Sequence, residues 1–253
     1  MKNDLDLSVV VPVFNERDNI IPLVDEIITA LSDLVKFEII YVNDGSSDDT
    51  LQVLIDKQKS CPQLRVLKHA KSCGQSYAVR TGVKNAKSPW IATLDGDGQN
   101  VPADIPNLYK KAIGAKTEDK VWLIAGWRKK RNDSWLKLKS SKYANAIRSW
   151  MLKDKTPDTG CGLKVFRRDI FVDLPSFNHM HRYLPALYQR AGGRVENIEV
   201  SHRAREMGVS KYGFWNRAIV GISDLFGVSW LIRRGKRPEV SEYSSETFKT
   251  NDK

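Results

Sequence analysis

Asp95 and Asp97 stand two apart in Asp95-Gly96-Asp97-Gly98-Gln99, with Gln99 two positions further on. An extended turn with this spacing can aim both carboxylates at one cation, and Gln99 adds a neutral oxygen. An all-oxygen set suits Mg²⁺ or Mn²⁺ rather than zinc. The alternative is a plain Asp-Gly turn with solvated carboxylates. An EF-hand loop does not fit, because no bidentate Glu follows at the required spacing. A second group of chemistry-bearing residues is cationic. Arg128 follows an apolar run and opens a basic segment with Lys129, Lys130, Arg131, Lys137, Lys139 and Lys142. Most of such a run belongs on a solvated face; Arg128 stands out because it lies at a strand end. Asp158, in Asp158-Thr159-Gly160-Cys161-Gly162, is either a turn former or a carboxylate near an acceptor.

The elements that would position these groups alternate. Leu7–Val13, Phe37–Val42, Leu64–Leu67, Trp90–Leu94, Val121–Ala125, Leu163–Phe166 and Val195–Val200 read as strands. Helical spacing runs from Ile20 to Leu34, from about Thr50 with Asp48 or Asp49 as cap, and over Gln75–Ala86, Asp104–Ile113 and His181–Ala191. Another helix passes through Tyr143, Ile147, Trp150 and Met151. Strand–helix alternation predicts an α/β fold with a mostly parallel central sheet flanked by helices. Such sheets bind ligands at the carboxyl ends of their strands, where Asp95 and Arg128 fall.

The chain has 253 residues and a formal net charge of +11, which points to an anionic partner such as a phosphate ester, nucleic acid or a membrane surface. No recognised nucleic-acid motif accompanies the charge, and no nucleic acid is expected. Three scattered cysteines, Cys61, Cys73 and Cys161, argue for a reducing compartment and against a disulfide framework. His69, His179, His181 and His202 share no metal-ligand spacing and read as ordinary polar or capping residues. No signal peptide and no transmembrane stretch are expected.

VPVFNE, VNDGSSDDT, LDGDGQ, DTGCGLKVFRRDIF and RAREMGVSKYG occur in that order. Together they resemble the inverting GT-A (Rossmann-like) glycosyltransferases of family 2, and within them the polyprenyl-phosphate glycosyltransferases that include dolichol-phosphate mannose synthase. The resemblance spans about Leu7 to Trp230. It implies transfer of a sugar from a UDP- or GDP-sugar, with uridine favoured, to a polyprenyl phosphate. It places Pro12, Phe14, Glu16, Val42 and Asp44 on the nucleoside, and Asp95, Asp97 and Gln99 on the metal. Asp95 would also face the nucleotide, and Asp97 would serve catalysis. Arg128 matches the arginine that faces the acceptor phosphate. The second phosphate-binding arginine is replaced by Lys137 and Lys139. Arg205 and Lys211 match the R-x-x-G-x-S-K signature that closes over the diphosphate. The same fold with a hydroxyl acceptor would need a carboxylate base, for which Asp158 is the candidate. A non-catalytic nucleotide- or nucleic-acid-binding protein is the remaining reading.

The expected organisation is a catalytic unit over residues 1–213, an amphipathic helix with a basic cluster over 214–237, and a flexible tail over 238–253. In Phe214–Ile232 the apolar positions Phe214, Trp215, Ile219, Ile222, Leu225, Phe226, Trp230 and Leu231 are interrupted by Asn216, Arg217, Ser223 and Asp224. Arg233-Arg234-Gly235-Lys236-Arg237 follows. A helix of this kind lies in the interface of an anionic membrane rather than across it. The expected location is cytoplasmic, peripheral on the inner membrane face, with a small membrane-protein partner as a further anchor.

Overall fold

The computed structural model describes residues 5–128, 146–204, 214–236 and 238. Seven strands form one sheet: β1 (Leu7–Val13), β2 (Phe37–Asn43), β3 (Leu64–Lys68), β4 (Trp90–Thr93), β5 (Val121–Trp127), β6 (Lys164–Arg167) and β7 (Arg194–Glu199). The helices are α1 (Arg17–Leu31), α2 (Thr50–Ser60), α3 (Gln75–Asn85), α4 (Ile105–Gly114), a short segment at 146–152 (α5), α6 (Arg168–Val172), α7 (Leu184–Ala191) and α8 (Phe214–Arg234). The strand order is β3-β2-β1-β4-β6-β5-β7. All neighbours are parallel except β6, which runs antiparallel to both β4 and β5.

Successive residues of the central strands point to opposite faces. Leu7, Val9, Val11 and Val13 pack with Ile20, Leu23, Val24 and Ile27 of α1 and with Leu108 of α4. Val10, Ile40 and Val42 pack on the other face with Ala78, Val79 and Val83 of α3 and Leu187 of α7. Both faces are therefore covered, which is why these strands read as continuous β-branched runs. Pro12 fits in β1 because its side of the strand faces β4, whose pairing stops at Val10↔Thr93.

Several boundaries differ from the sequence expectation, some for local reasons. The helix expected from His181 starts at Leu184, with Pro185 in its first turn, and Met180–Arg182 form a separate 3-10 turn. The strands at 90 and 164 end and begin one residue inside the expected limits, leaving Leu94 and Leu163 to the turns. At α2, Asp48 supplies the cap, accepting the Thr50 N–H at 3.0 Å. Tyr143 lies outside the described residues, and Ile147 and Trp150 of α5 are exposed rather than core-facing.

Candidate active site

The carboxyl ends of β1, β4 and β5 open into one cavity of about 380 Å³. Its lining includes Pro12, Gln75, Asp95, Arg128, Asp158, Lys164, His181 and Arg182. β4 delivers Asp95 to the rim, and Gly96 lets the chain turn there: a Cβ at that position would lie 2.4 Å from Val13 Cγ1. Asp95 Oδ1 accepts the side-chain N–H of Gln75 at 2.7 Å. Asp97 Oδ1 accepts the Gln99 backbone N–H at 3.1 Å, which closes the turn. Asn100 Oδ1 accepts the Asp95 N–H, and Asn100 pairs with His202 in an antiparallel bridge.

The turn is fastened from outside by Arg203. Its guanidinium donates to the Gly98 carbonyl and to both oxygens of Glu26 on α1, at 2.9 Å each. A turn gripped at Asp97, Asn100 and Gly98 presents its carboxylates in fixed positions, as a cation site requires. The donor set also fits a divalent cation on charge. Burial and then the neighbouring Asp97 push the Asp95 carboxyl up to about 6, against Lys164, Arg128 and Gln75. A carboxyl whose proton affinity is raised by burial and a neighbouring carboxylate is relieved by a dication placed between the two.

This gives a pH dependence with a definite sign. A cation held by this turn would require ionised Asp95, so protons would compete with it below about pH 6. Mn²⁺ affinity should fall about fivefold between about pH 6 and about pH 5 and be flat above about pH 7. Without metal the folded form holds this proton more tightly than the unfolded chain. Its contribution to stability therefore declines from the ordinary aspartate value of 3.8 up to about 6, and added Mn²⁺ should reverse the decline. Calorimetric titration across this range checks both; a pH-independent affinity contradicts the assignment.

Arg128 projects from the end of β5. Its Nε and Nη2 donate to Asp158 Oδ2 and Oδ1 at 2.6 and 2.9 Å, a bidentate pair. Burial lowers the guanidinium's pKa, and Asp158 more than offsets it. Asp158 is almost fully buried, and its lone pairs face a guanidinium. It is thereby a poor proton acceptor, which weighs against the hydroxyl-acceptor chemistry that needs it as a base.

The Asp158–Gly162 turn is held from behind. Lys164 of β6 is buried and donates from Nζ to the carbonyls of Thr159, at 3.3 Å, and Cys161. Arg148 of α5, also buried, donates to Thr159 Oγ1 and the Thr156 carbonyl and pairs with Asp154 at 3.0 Å. Thr93 Oγ1 donates to the Gly162 carbonyl at 2.8 Å, and Asp95 rests against Gly162. The Cys161 thiol is raised by burial and is no nucleophile.

The residues expected on the nucleoside fall on adjoining loops. Pro12 lines the cavity, and Phe14 and Glu16 are half-buried after β1. Val42 is fully buried in the core, so its side chain does not reach the site. Asp44 is buried and accepts hydrogen bonds from Ser72 Oγ, Cys73 N and Gly74 N at 2.7–2.9 Å and pairs with His69 Nδ1 at 2.6 Å. Burial raises its pKa and these bonds lower it further than burial raises it. Asp44 thus fixes the loop before α3 that carries Gln75. Lys139, Arg205 and Lys211 lie outside the described residues. The expectation from sequence does not include Gln75, Lys164, Arg148, Arg182 or Arg203; Lys164 and Arg203 lie within the quoted motifs but carry no assigned role there.

The profile of glycosyl transferase family 2 matches residues 8–174. A dodecaprenyl-phosphate galacturonate synthase of Rhizobium johnstonii is 36% identical over 242 residues, covering 92% of this chain and 69% of its own length. Among solved structures, a mannosyltransferase from Pyrobaculum calidifontis with GDP-Man and Mn²⁺ superposes with TM-score 0.63 at 20% identity, covering 92% of this chain and 66% of that one. Glucosyl-3-phosphoglycerate synthase of Mycobacterium tuberculosis with UDP gives 0.65 at 20% identity, covering 90% and 82%. At these identities the structural likeness speaks to the fold.

Proposed function

The chain belongs to glycosyl transferase family 2, and on that premise we propose that it transfers a sugar from a nucleotide sugar to a polyprenyl phosphate, with inversion, at the cytosolic face of a membrane. The observation that carries the acceptor assignment is the Arg128–Asp158 pair beside the Asp95 turn. It offers a positioned guanidinium and no free base. A phosphomonoester needs no base, since its second pKa is near ~6. An acceptor phosphate oxygen attacks the anomeric carbon, and the bond from that carbon to the diphosphate breaks with its electron pair on the nucleoside diphosphate. No proton moves in this step.

In this reading Asp95, Asp97 and Gln99 would hold Mg²⁺ or Mn²⁺, which would supply positive charge for the leaving diphosphate. Arg128 orients the acceptor phosphate, with Lys139 as a second cation. Arg205 and Lys211 close over the donor diphosphate. Pro12, Phe14, Glu16 and Asp44 shape the nucleoside site. The relative named for galacturonate makes a hexuronate one candidate sugar beside a neutral hexose. Incubation with labelled nucleotide sugar, Mn²⁺ and polyprenyl phosphate tests the reading: label should enter an acid-labile, organic-phase product. Label confined to water-soluble or hydroxyl-linked products would refute it.

Access to a lipid acceptor is proposed to run through α8. Among the described residues no helix is long and apolar enough to cross a membrane. One side of α8 packs on the fold, through Val228 in the core, the Tyr183 hydroxyl on the Gly221 carbonyl at 3.1 Å, and Asp224 on His179 at 2.9 Å. Ile222, Phe226 and Trp230, four residues apart, are 57–60% exposed on the other side. Arg233, Arg234 and Lys236 follow, a charge complement to anionic lipid. Changing all three apolar residues to Ser should remove about 3 kcal/mol of interfacial burial, roughly two orders of magnitude in partitioning. In flotation with anionic vesicles the native chain should rise, less so at high salt, and the triple variant should stay below. Equal behaviour would rule out this face.

A further inference from the structure

The charged side chains lining the cavity pair off, with one exception. Asp158 engages Arg128 through both oxygens, and Asp95 accepts from Gln75 and has Lys164 as its compensating charge. Lys164 is committed to the Thr159 and Cys161 carbonyls. Arg182 lines the same cavity, half-buried, and is held by its backbone N–H on the His179 carbonyl at 3.0 Å. Among the described residues no carboxylate or carbonyl accepts from its guanidinium. The 3-10 turn places it there: because α7 starts only at Leu184, residues 181 and 182 face the cavity instead of continuing the helix.

The residue beside it is prepared for a ligand as well. The Ser76 hydroxyl accepts the His181 backbone N–H at 3.3 Å and lies 2.7 Å from its Nδ1. When the hydroxyl donates to Nδ1, the ring proton sits on Nε2 as a further donor. Burial, and then the charge of Arg182, keep this ring neutral. Val79 and Leu184 form an apolar side of the same cavity, where a charge-assisted bond is stronger than in open water.

We propose that Arg182 is a specificity-determining residue that binds an oxyanion of the substrate other than the donor diphosphate, with His181 as a neutral second donor. A planar guanidinium with its donors free matches the paired oxygens of a carboxylate or a phosphate. Two sources bring that chemistry: the carboxylate of a uronic sugar on the donor, or the phosphate of the lipid acceptor. The inference rests on the proposed transfer reaction and names what the reaction selects.

The test uses the full chain with Mn²⁺, polyprenyl phosphate in detergent, and the donor pairs UDP-galacturonate with UDP-galactose and UDP-glucuronate with UDP-glucose. Arg182→Gln removes the charge, and Arg182→Lys keeps it without the fork. If the anion is the sugar carboxylate, Arg182→Gln lowers kcat/KM about 10–100-fold for the uronate and leaves the matched neutral sugar unchanged, with Arg182→Lys between. If it is the acceptor phosphate, KM for polyprenyl phosphate rises by a similar factor with every donor. Unchanged parameters in an active, folded Arg182→Gln would overturn the proposal, and so would an equal fall in kcat for all substrates with every KM retained. Calorimetry of the same donors, and of polyprenyl phosphate, reads both arms without turnover. A native chain that binds but does not transfer counts against the transfer reaction; binding indifferent to Arg182 counts against this inference.

Discussion

Asp97→Ala is expected to abolish metal-dependent transfer, a fall of about 10³-fold or more, while the folded chain melts close to the native temperature. Asp97 is half-buried at the rim of the sheet, and it accepts the Gln99 N–H within its own turn. Little of the core depends on it. The turn is gripped independently by Arg203 on Gly98 and by Asn100 on the Asp95 N–H, so the backbone should keep its path. What disappears is the carboxylate proposed to share a cation with Asp95. The same change also removes a charge that raises the Asp95 pKa, so Asp95 should ionise at lower pH in the variant. Mn²⁺ titration by calorimetry reads the first effect and carboxylate titration by NMR the second. Near-native turnover with Mg²⁺ or Mn²⁺ would show that the metal does not sit on this turn.

How much of this site is visible in the sequence depends on the distance between the partners. The strands delivering Asp95 and Arg128 are legible because burial on both faces demands apolar runs, and the strand ends follow from the turn residues. Asp95, Asp97 and Gln99 lie within five positions, so their spacing alone carries the cation reading. Arg203 and Glu26 are 177 positions apart, and each by itself is an ordinary surface charge. Nothing local announces that they clamp the turn. The direction of β6 is equally silent, since a buried strand has the same residue pattern whichever way it runs. Yet that direction pairs Thr93 with Lys164 and carries Gly162 to the rim beside Asp95. Asp158 was legible as a turn former or a candidate base; its bidentate grip on Arg128, across 30 positions, was not. His181 and Arg182 read as helix because helical spacing continues through them. Pro185, three residues on, delays the helix and frees both for the cavity.

Gly162→Ala is expected to disable the enzyme from a residue that touches no substrate in the proposed reaction. β6 runs antiparallel to β4, which brings the end of the Asp158–Gly162 turn against Asp95. A Cβ on Gly162 would lie 2.3 Å from Asp95 Oδ2, 2.4 Å from Cγ and 2.6 Å from Oδ1. Ordinary contact begins near ~3.4 Å, so the carboxylate has to move by about 1 Å, and a shift of that size at a reacting centre costs about 10²-fold in rate. The backbone at 162 is outside the left-handed region, so alanine itself meets no conformational strain there. Stability should therefore change by only about 1 kcal/mol, while Mn²⁺ affinity and turnover fall together. Gly160→Ala is the control within the same turn: its Cβ would stand 3.4 Å from Arg128 Nη2 and 3.6 Å from Asp158 Oδ1, ordinary contact, and it should keep most of the native activity. If Gly162→Ala binds Mn²⁺ as the native chain does, the position of the Asp95 carboxylate does not matter to the metal. If instead both alanines unfold the chain, the turn is a structural element first, and the division between a rigid support and a cation-bearing rim fails.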